Sequence, residues 1–364
     1  MRNRTYTLGL LAVLAIALAF TMSPFKEQPY QPYWYSLTQY GCAPEWFRDA
    51  KLGIRMHWGP QTDSLLELFR EAGAGYLLCT NQPSDMPKSR MRMARKLGFR
   101  LGMAIRPTGE DRKAIKRAWS GLYRYCPDLA GIEDTLLLAP PYEREALRAL
   151  AHLYNKHYQQ SGVKNEAVVL AGDVSGDRRD CLVWCATDSL PQAITERPWQ
   201  ATLGLDSLDA TTLIHRLLDI VSLGGNLLLD VPLRPDGSLD ARHRATLQQV
   251  VDWMRVNGEG VIGTRPWCYS SEESDTGEIR FVQKGGDDVI YVHLAAWPDD
   301  GHVLIRTLSP YSDVLRGLIT RVELLGYDGR LEYRQDGLGV ALTLPDSVRP
   351  NSLSPTLRLE TIKF

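Results

Sequence analysis

Residues 211–231 read TTLIHRLLDIVSLGGNLLLDV. Leu213, Ile214, Leu217, Leu218 and Val221 recur at the three- and four-residue spacing of a helix with one buried face. Gly224-Gly225 stops that helix. The apolar run at 226–231 then reads as a strand covered on both sides. Upstream, strand-like runs at 51–56, 76–80, 99–105, 135–139, 166–172 and 182–186 alternate with helical stretches at 64–72, 90–97, 111–125 and 143–160. A further helix is expected at 241–257. Alternation of this kind builds a parallel sheet. A stretch of about 240 residues suits a (β/α)8 TIM-like barrel.

After Trp267 the pattern changes. Short runs at 279–283, 289–296, 303–305, 321–325, 331–334, 340–344 and 356–362 follow one another without helices. Turn signals such as Gly285-Gly286 and Asp328-Gly329 separate them. This spacing predicts a C-terminal antiparallel β-sandwich. The chain thus divides into an N-terminal signal or anchor (1–23), an extended lead-in (24–43), a barrel (44–265) and a sandwich (266–364).

The bulk properties narrow the partners. The 364 residues carry 42 basic and 43 acidic side chains, for a net charge of −1, which gives no electrostatic footprint for nucleic acid. The first residues, MRNRTYTLGLLAVLAIALAF, place Arg2 and Arg4 before an apolar core, with Ala17-Leu18-Ala19 as a cleavage site. The stretch 5–22 is just long enough to span a bilayer, so a membrane tether stays open beside cleavage. Either way the chain is read as exported, to a periplasmic, extracellular or outward-facing anchored position. Of six cysteines, Cys79 is expected as a buried thiol, and Cys181 and Cys185 as a pair an oxidising compartment would permit. Their C-x3-C spacing, without a nearby His pair, does not make a zinc site. No metal set, phosphate loop or cofactor signature is read.

Residues 51–60, KLGIRMHWGP, put His57 and Trp58 at the carboxyl end of the first strand. In a barrel that end carries the chemistry. Three stretches then act together. They are 44–60 (PEWFRDAKLGIRMHWGP), Pro198-Trp199-Gln200, and 219–240 (DIVSLGGNLLLDVPLRPDGSLD) continued by 253–267 (WMRVNGEGVIGTRPW). With them the chain resembles the bacterial α-L-fucosidases of the retaining glycoside hydrolase family 29. That resemblance implies a barrel followed by a sandwich and a fucosylated glycan as ligand. It also implies a mechanism in which one carboxylate attacks the anomeric carbon and a second serves as acid, then base. His57, Trp58 and Trp199 match sugar-pocket positions.

Other positions depart from the family pattern. A His-His-Asp-Gly segment follows the family's second strand. Here Pro83 and Ser84 stand at the two His positions, and Asp85 is the remaining match. The family's nucleophile follows its fourth strand. With that strand at 135–139, Ala139 and Pro140 fall at the Asp-Gly positions, and Glu133 and Asp134 fall at the strand's amino end. The attacking group is therefore expected to be lost. Replacement catalytic carboxylates are Asp173, after the fifth strand, and Asp230, ending the last one, with Arg234 or Arg55 as an ion-pair partner for Asp230. Three readings follow. The chain is a fucosidase-like hydrolase with rearranged carboxylates, or a non-catalytic carbohydrate-binding or scaffolding pseudoenzyme, or a tethered protein whose aromatic lead-in (QPYQPYWY, 28–35) meets a partner.

Overall fold

The computed structural model describes residues 28–363 apart from 42, 82–85, 110, 134, 172–182, 187–189, 196, 287, 314, 316, 346–347 and 351–352. Two short helices, α1 (Trp34–Thr38) and α2 (Glu45–Ala50), lead into strand β1 (Leu52–Met56). There follow α3 (Leu66–Glu71), β2 (Ala74–Cys79), α4 (Lys88–Lys96), β3 (Arg100–Ile105), α5 (Arg112–Tyr125) and β4 (Leu129–Ile132). Then come α6 (Glu143–Ser161), β5 (Val168–Ala171), β6 (Val183–Ala186), β7 (Trp199–Gly204), α7 (Ala210–Ser222), β8 (Gly225–Asp230) and α8 (Ala241–Asn257). The eight strands pair in chain order and β8 closes on β1, so the sheet is a parallel barrel.

Period-two alternation sorts the side chains of each strand. On β1, Leu52, Ile54 and Met56 pack outward with α3 and α7, beside Phe69 and Leu217. Gly53 and Arg55 take the opposite parity and face the lumen. The lumen is filled by Tyr76, Leu78, Leu129, Val168, Leu170 and Leu228, with Phe47 from α2 closing the amino end. Tyr76 donates its hydroxyl to Gln200 Oε1 at 3.1 Å. A methyl group added at Gly53 would run into the Tyr76 ring. Gly53→Ala is therefore expected to cost about 1–3 kcal/mol, as overpacking of a filled core does. A urea titration monitored by tryptophan fluorescence would read this as a lower midpoint with an unchanged slope.

The C-terminal part packs a five-stranded antiparallel sheet against a three-stranded one. The larger sheet contains β9 (Arg265–Ser274), β10 (Gly277–Lys284), β11 (Val289–His293), β13 (Gly317–Leu324) and β16 (Thr356–Lys363). The smaller contains β12 (His302–Ile305), β14 (Tyr333–Asp336) and β15 (Gly339–Thr343). Phe281, Ile290, Val292, Leu342, Leu357 and Leu359 fill the space between them. Polar bonds tie sandwich to barrel. His293 Nε2 donates to Gly260 O at 3.0 Å, and Trp253 Nε1 donates to Ser354 O at 2.9 Å.

Two expectations are corrected here, and two details are added. The fourth strand is Leu129–Ile132, and Thr135–Leu138 is a 3₁₀ turn whose Leu137 and Leu138 pack into the helix layer. The lead-in is not wholly extended, because Trp34–Thr38 is helical. Trp199–Gly204 is a full strand, which a three-residue match did not reveal. Cys185 is a free thiol that accepts from Gln200 Nε2 at 3.4 Å, and Cys181 lies outside the described residues. Cys79 is buried as expected, and burial pushes its thiol up to about 12. The signal or anchor segment also lies outside the described residues. No described helix is long and apolar enough to cross a membrane.

Candidate active site at the carboxyl rim

The corrected fourth strand changes what stands at the rim. Leu129 and Gly131 face the lumen, where a methyl at Gly131 would sit 3.0 Å from Leu78. Two residues further on, the same parity aims Glu133 inward. Its amide donates to Ile105 O at 3.2 Å, which fixes it against the end of β3. Ala139 is removed from this point. It follows the 3₁₀ turn, and its carbonyl accepts the amides of Tyr142 and Glu143 at the start of α6. The residue that follows the fourth strand is therefore a carboxylic acid, not an alanine.

Arg55 organises the rim. It faces Asp230 in the β1–β8 register. Its Nη1 donates to Asp230 Oδ2 at 3.0 Å. Its Nε and Nη2 both donate to Glu133 Oε1, at 3.1 and 2.6 Å. The Arg55 side chain is 28% exposed, Glu133 17% and Asp230 45%. Burial opposes the charge on Arg55, but the two carboxylates outweigh it and its pKa is raised. The two carboxylates are thus held on different nitrogens of one planar guanidinium fork. The second oxygen of Glu133, Oε2, meets Arg106 Nε at 3.1 Å, and Arg106 is 52% exposed.

His57 continues the inward parity of Gly53 and Arg55, and it is exposed at the rim. The Asn81 side chain, just past β2, holds it there. Asn81 Nδ2 lies 3.3 Å from His57 Nε2 and donates to Trp58 O at 3.0 Å, while Asn81 Oδ1 accepts the Trp58 amide at 2.7 Å. With an amide N–H of Asn81 facing it, His57 Nε2 is placed to accept a hydrogen bond. The loops after β1 and β8 are joined below this point, with the Gln61 amide donating to Asp236 O at 2.7 Å.

The sequence candidates separate on this geometry. His57 and Asp230 share the rim. Trp58 has the outward parity, is buried in the strand–helix layer and donates its indole N–H to Asp63 Oδ1 at 2.8 Å, so it offers no open face to a sugar. Trp199 opens β7 at the opposite, amino end of the barrel, buried against Gly225. A methyl at Gly225 would come within 2.6 Å of the Trp199 indole, so that pair is a packing contact. Asp85 and Asp173 lie outside the described residues. Glu133, Arg55, Arg106 and Asn81 were not singled out as site residues by sequence reasoning. The signal that finds the first two is parity, counted from Asp230 and from a correctly placed β4.

Comparisons with known proteins agree with this architecture. A model of the α-L-fucosidase family matches residues 17–67 and 148–259, and a model of the α-L-fucosidase C-terminal domain matches 272–360. The unmatched stretch between the two barrel segments contains β2 to β4 and Glu133. Tissue α-L-fucosidase of Rattus norvegicus is 23% identical over 95% of both chains. A solved α-L-fucosidase superposes with a TM-score of 0.74 over 91% of this chain and all of its own, at 19% identity. Thermotoga maritima α-fucosidase in complex with fucose superposes with a TM-score of 0.70, at 18% identity. Those likenesses extend from mammals to bacteria, and the two family models between them take in both the barrel and the sandwich. The chain belongs to the α-L-fucosidase family.

Proposed function

We propose that this chain hydrolyses α-L-fucosides at the carboxyl rim of the barrel, with Glu133 as the attacking carboxylate. The observation that carries this is the place of Glu133. It immediately follows the fourth strand, points into the lumen, and shares Arg55 with a second carboxylate, Asp230. Glu133 would displace the aglycone to give a fucosyl ester, and water would then cleave the ester. Asp230 is the described carboxylate placed to assist the leaving oxygen and later the water. His57, exposed beside them, is placed to bond a sugar hydroxyl.

The experiment is hydrolysis of an aryl α-L-fucoside followed by proton NMR. The first-formed sugar is expected to be α-L-fucose, as double displacement requires. Initial release of the β anomer would sink the attacking role of Glu133. A specific observation favours a second, non-catalytic reading, because both Glu133 oxygens face guanidinium groups. That reading expects calorimetric binding of fucose without aglycone release. The basic and then apolar stretch at 2–20 supports export. Amino-terminal sequencing of the secreted chain would separate cleavage from retention as a tether.

A further inference from the structure

The two oxygens of Glu133 are held very differently. Oε1 accepts two N–H groups of Arg55, a side chain that is itself anchored through Nη1 to Asp230. Three bonds and partial burial keep that guanidinium in place. Among the described residues, Oε2 has one ion-pair partner, Arg106 Nε at 3.1 Å, and Arg106 is the residue after β3, with half of its side chain in solvent. A single, exposed, monodentate ion pair is weak and sensitive to salt. A carboxylate whose lone pairs all face cations is poorly placed to attack carbon. Of the two arginines, only Arg106 can leave without dismantling the rim.

Resting on the reading of Glu133 as nucleophile, we propose that Arg106 is a latch over Glu133 Oε2, displaced when a fucosyl ring enters, while Arg55 is the positioning residue that keeps Oε1 fixed. Oε2 is then the atom that forms the ester bond. With a 2-deoxy-2-fluoro-fucosyl fluoride, Oε2 attacks the anomeric carbon and fluoride departs with the bonding pair. The fluorine at C2 slows hydrolysis of the ester, so the adduct accumulates and can be weighed.

The test is the rate of adduct formation, read by intact-protein mass with peptide mapping of the modified residue. Arg106→Ala is expected to label Glu133 about two- to fivefold faster than wild type, the factor that losing an exposed ion pair gives. Wild-type labelling is expected to quicken as sodium chloride rises, and Arg106→Ala to lose that response. A merely structural role for Arg106 would not move the salt dependence. Arg55→Ala is expected to label at least tenfold more slowly, with Arg55→Lys recovering part of the rate. Slower labelling in Arg106→Ala, with the adduct still on Glu133, overturns the latch alone. An adduct mapped to another carboxylate overturns the nucleophile, and absence of any adduct in wild type and Arg106→Ala alike overturns both. Circular dichroism of each variant would confirm that the barrel is intact.

Discussion

Replacing Glu133 by Gln is expected to lower kcat/KM for an aryl α-L-fucoside by about 10³-fold or more, roughly 4 kcal/mol of transition-state stabilisation. The amide keeps the shape of the side chain. It still offers an oxygen to Arg55, so the contact through Oε1 survives in part. What is lost is an anionic oxygen able to bond to the anomeric carbon and to face the oxocarbenium-like charge that develops there. Ala139→Ser is the matched control. It alters the residue an unguided register would put at the nucleophile position, yet that residue sits beyond a 3₁₀ turn at the start of α6. Its rate should equal that of wild type. A further variant, Glu133→Gly, opens room for azide, which is expected to restore turnover and give a fucosyl azide of inverted configuration. Wild-type rates in Glu133→Gln would mean that another carboxylate attacks, and Asp173 would be the next residue to replace.

The strand and helix alternation carried much of this fold because its signals were long. Residues 211–231 hold five apolar helix positions, a Gly pair and an unbroken strand, and the structure forms α7 and β8 there within a residue of those bounds. His57 and Asp230 were legible for the same reason, since each ends a strand whose apolar run is unambiguous. The fourth strand was not. It is only four residues long, Leu129-Ala130-Gly131-Ile132, and its centre is small because Gly131 lies against Leu78 inside the barrel. The richer run that follows, at 135–138, is apolar for a different purpose, placing Leu137 and Leu138 under the helices. A short apolar stretch does not declare whether it faces a lumen or a helix layer. That single slip moved Glu133 from the carboxyl rim to the amino end and turned a carboxylate into an alanine.

Strand parity alone specifies part of the site. Arg55 and His57 share one face of β1 while Met56 and Trp58 take the other, which already separates the rim histidine from the buried tryptophan. The same count from Asp230 selects Asn226 and Leu228 for the lumen and Leu227, Leu229 and Val231 for the helix layer. Period two cannot say which end of a strand a residue occupies in space, and Trp199 shows this. It opens β7, and Gln200 beside it is drawn into the amino-end layer by the Tyr76 hydroxyl. The Arg55 bridge was half legible, because Arg55 was one of two named partners for Asp230. Its grip on Glu133 depends on the third strand pair, β3 with β4, being in register.

At the opposite end of the barrel, Lys51→Met is expected to stabilise the fold at pH 7 and to lose most of that advantage by pH 9.5. Lys51 joins α2 to β1 with a left-handed φ of 58°, and its carbonyl accepts the Leu227 amide at 2.8 Å. Its side chain is buried. The acids near it are already engaged, since Arg265 binds Glu45 and Asp49. Burial first, and repulsion from Arg265 second, push the Lys51 amine from 10.5 down to about 7. A base whose pKa falls on folding binds fewer protons in the folded state, so stability rises with pH between the two values. The penalty is complete below about pH 7 and absent above about pH 10.5. Across pH 7 to 9.5 it changes by about 3 kcal/mol, at ~1.4 kcal/mol per pH unit. Buried Tyr76 and Cys79, with pKa values raised by burial, destabilise the fold at alkaline pH in both proteins and cancel in the difference. Urea midpoints of wild type and Lys51→Met at pH 7 and 9.5 provide the measurement. The gap between them should narrow as pH rises. Two curves that stay parallel across that range would mean the amine remains charged inside the fold.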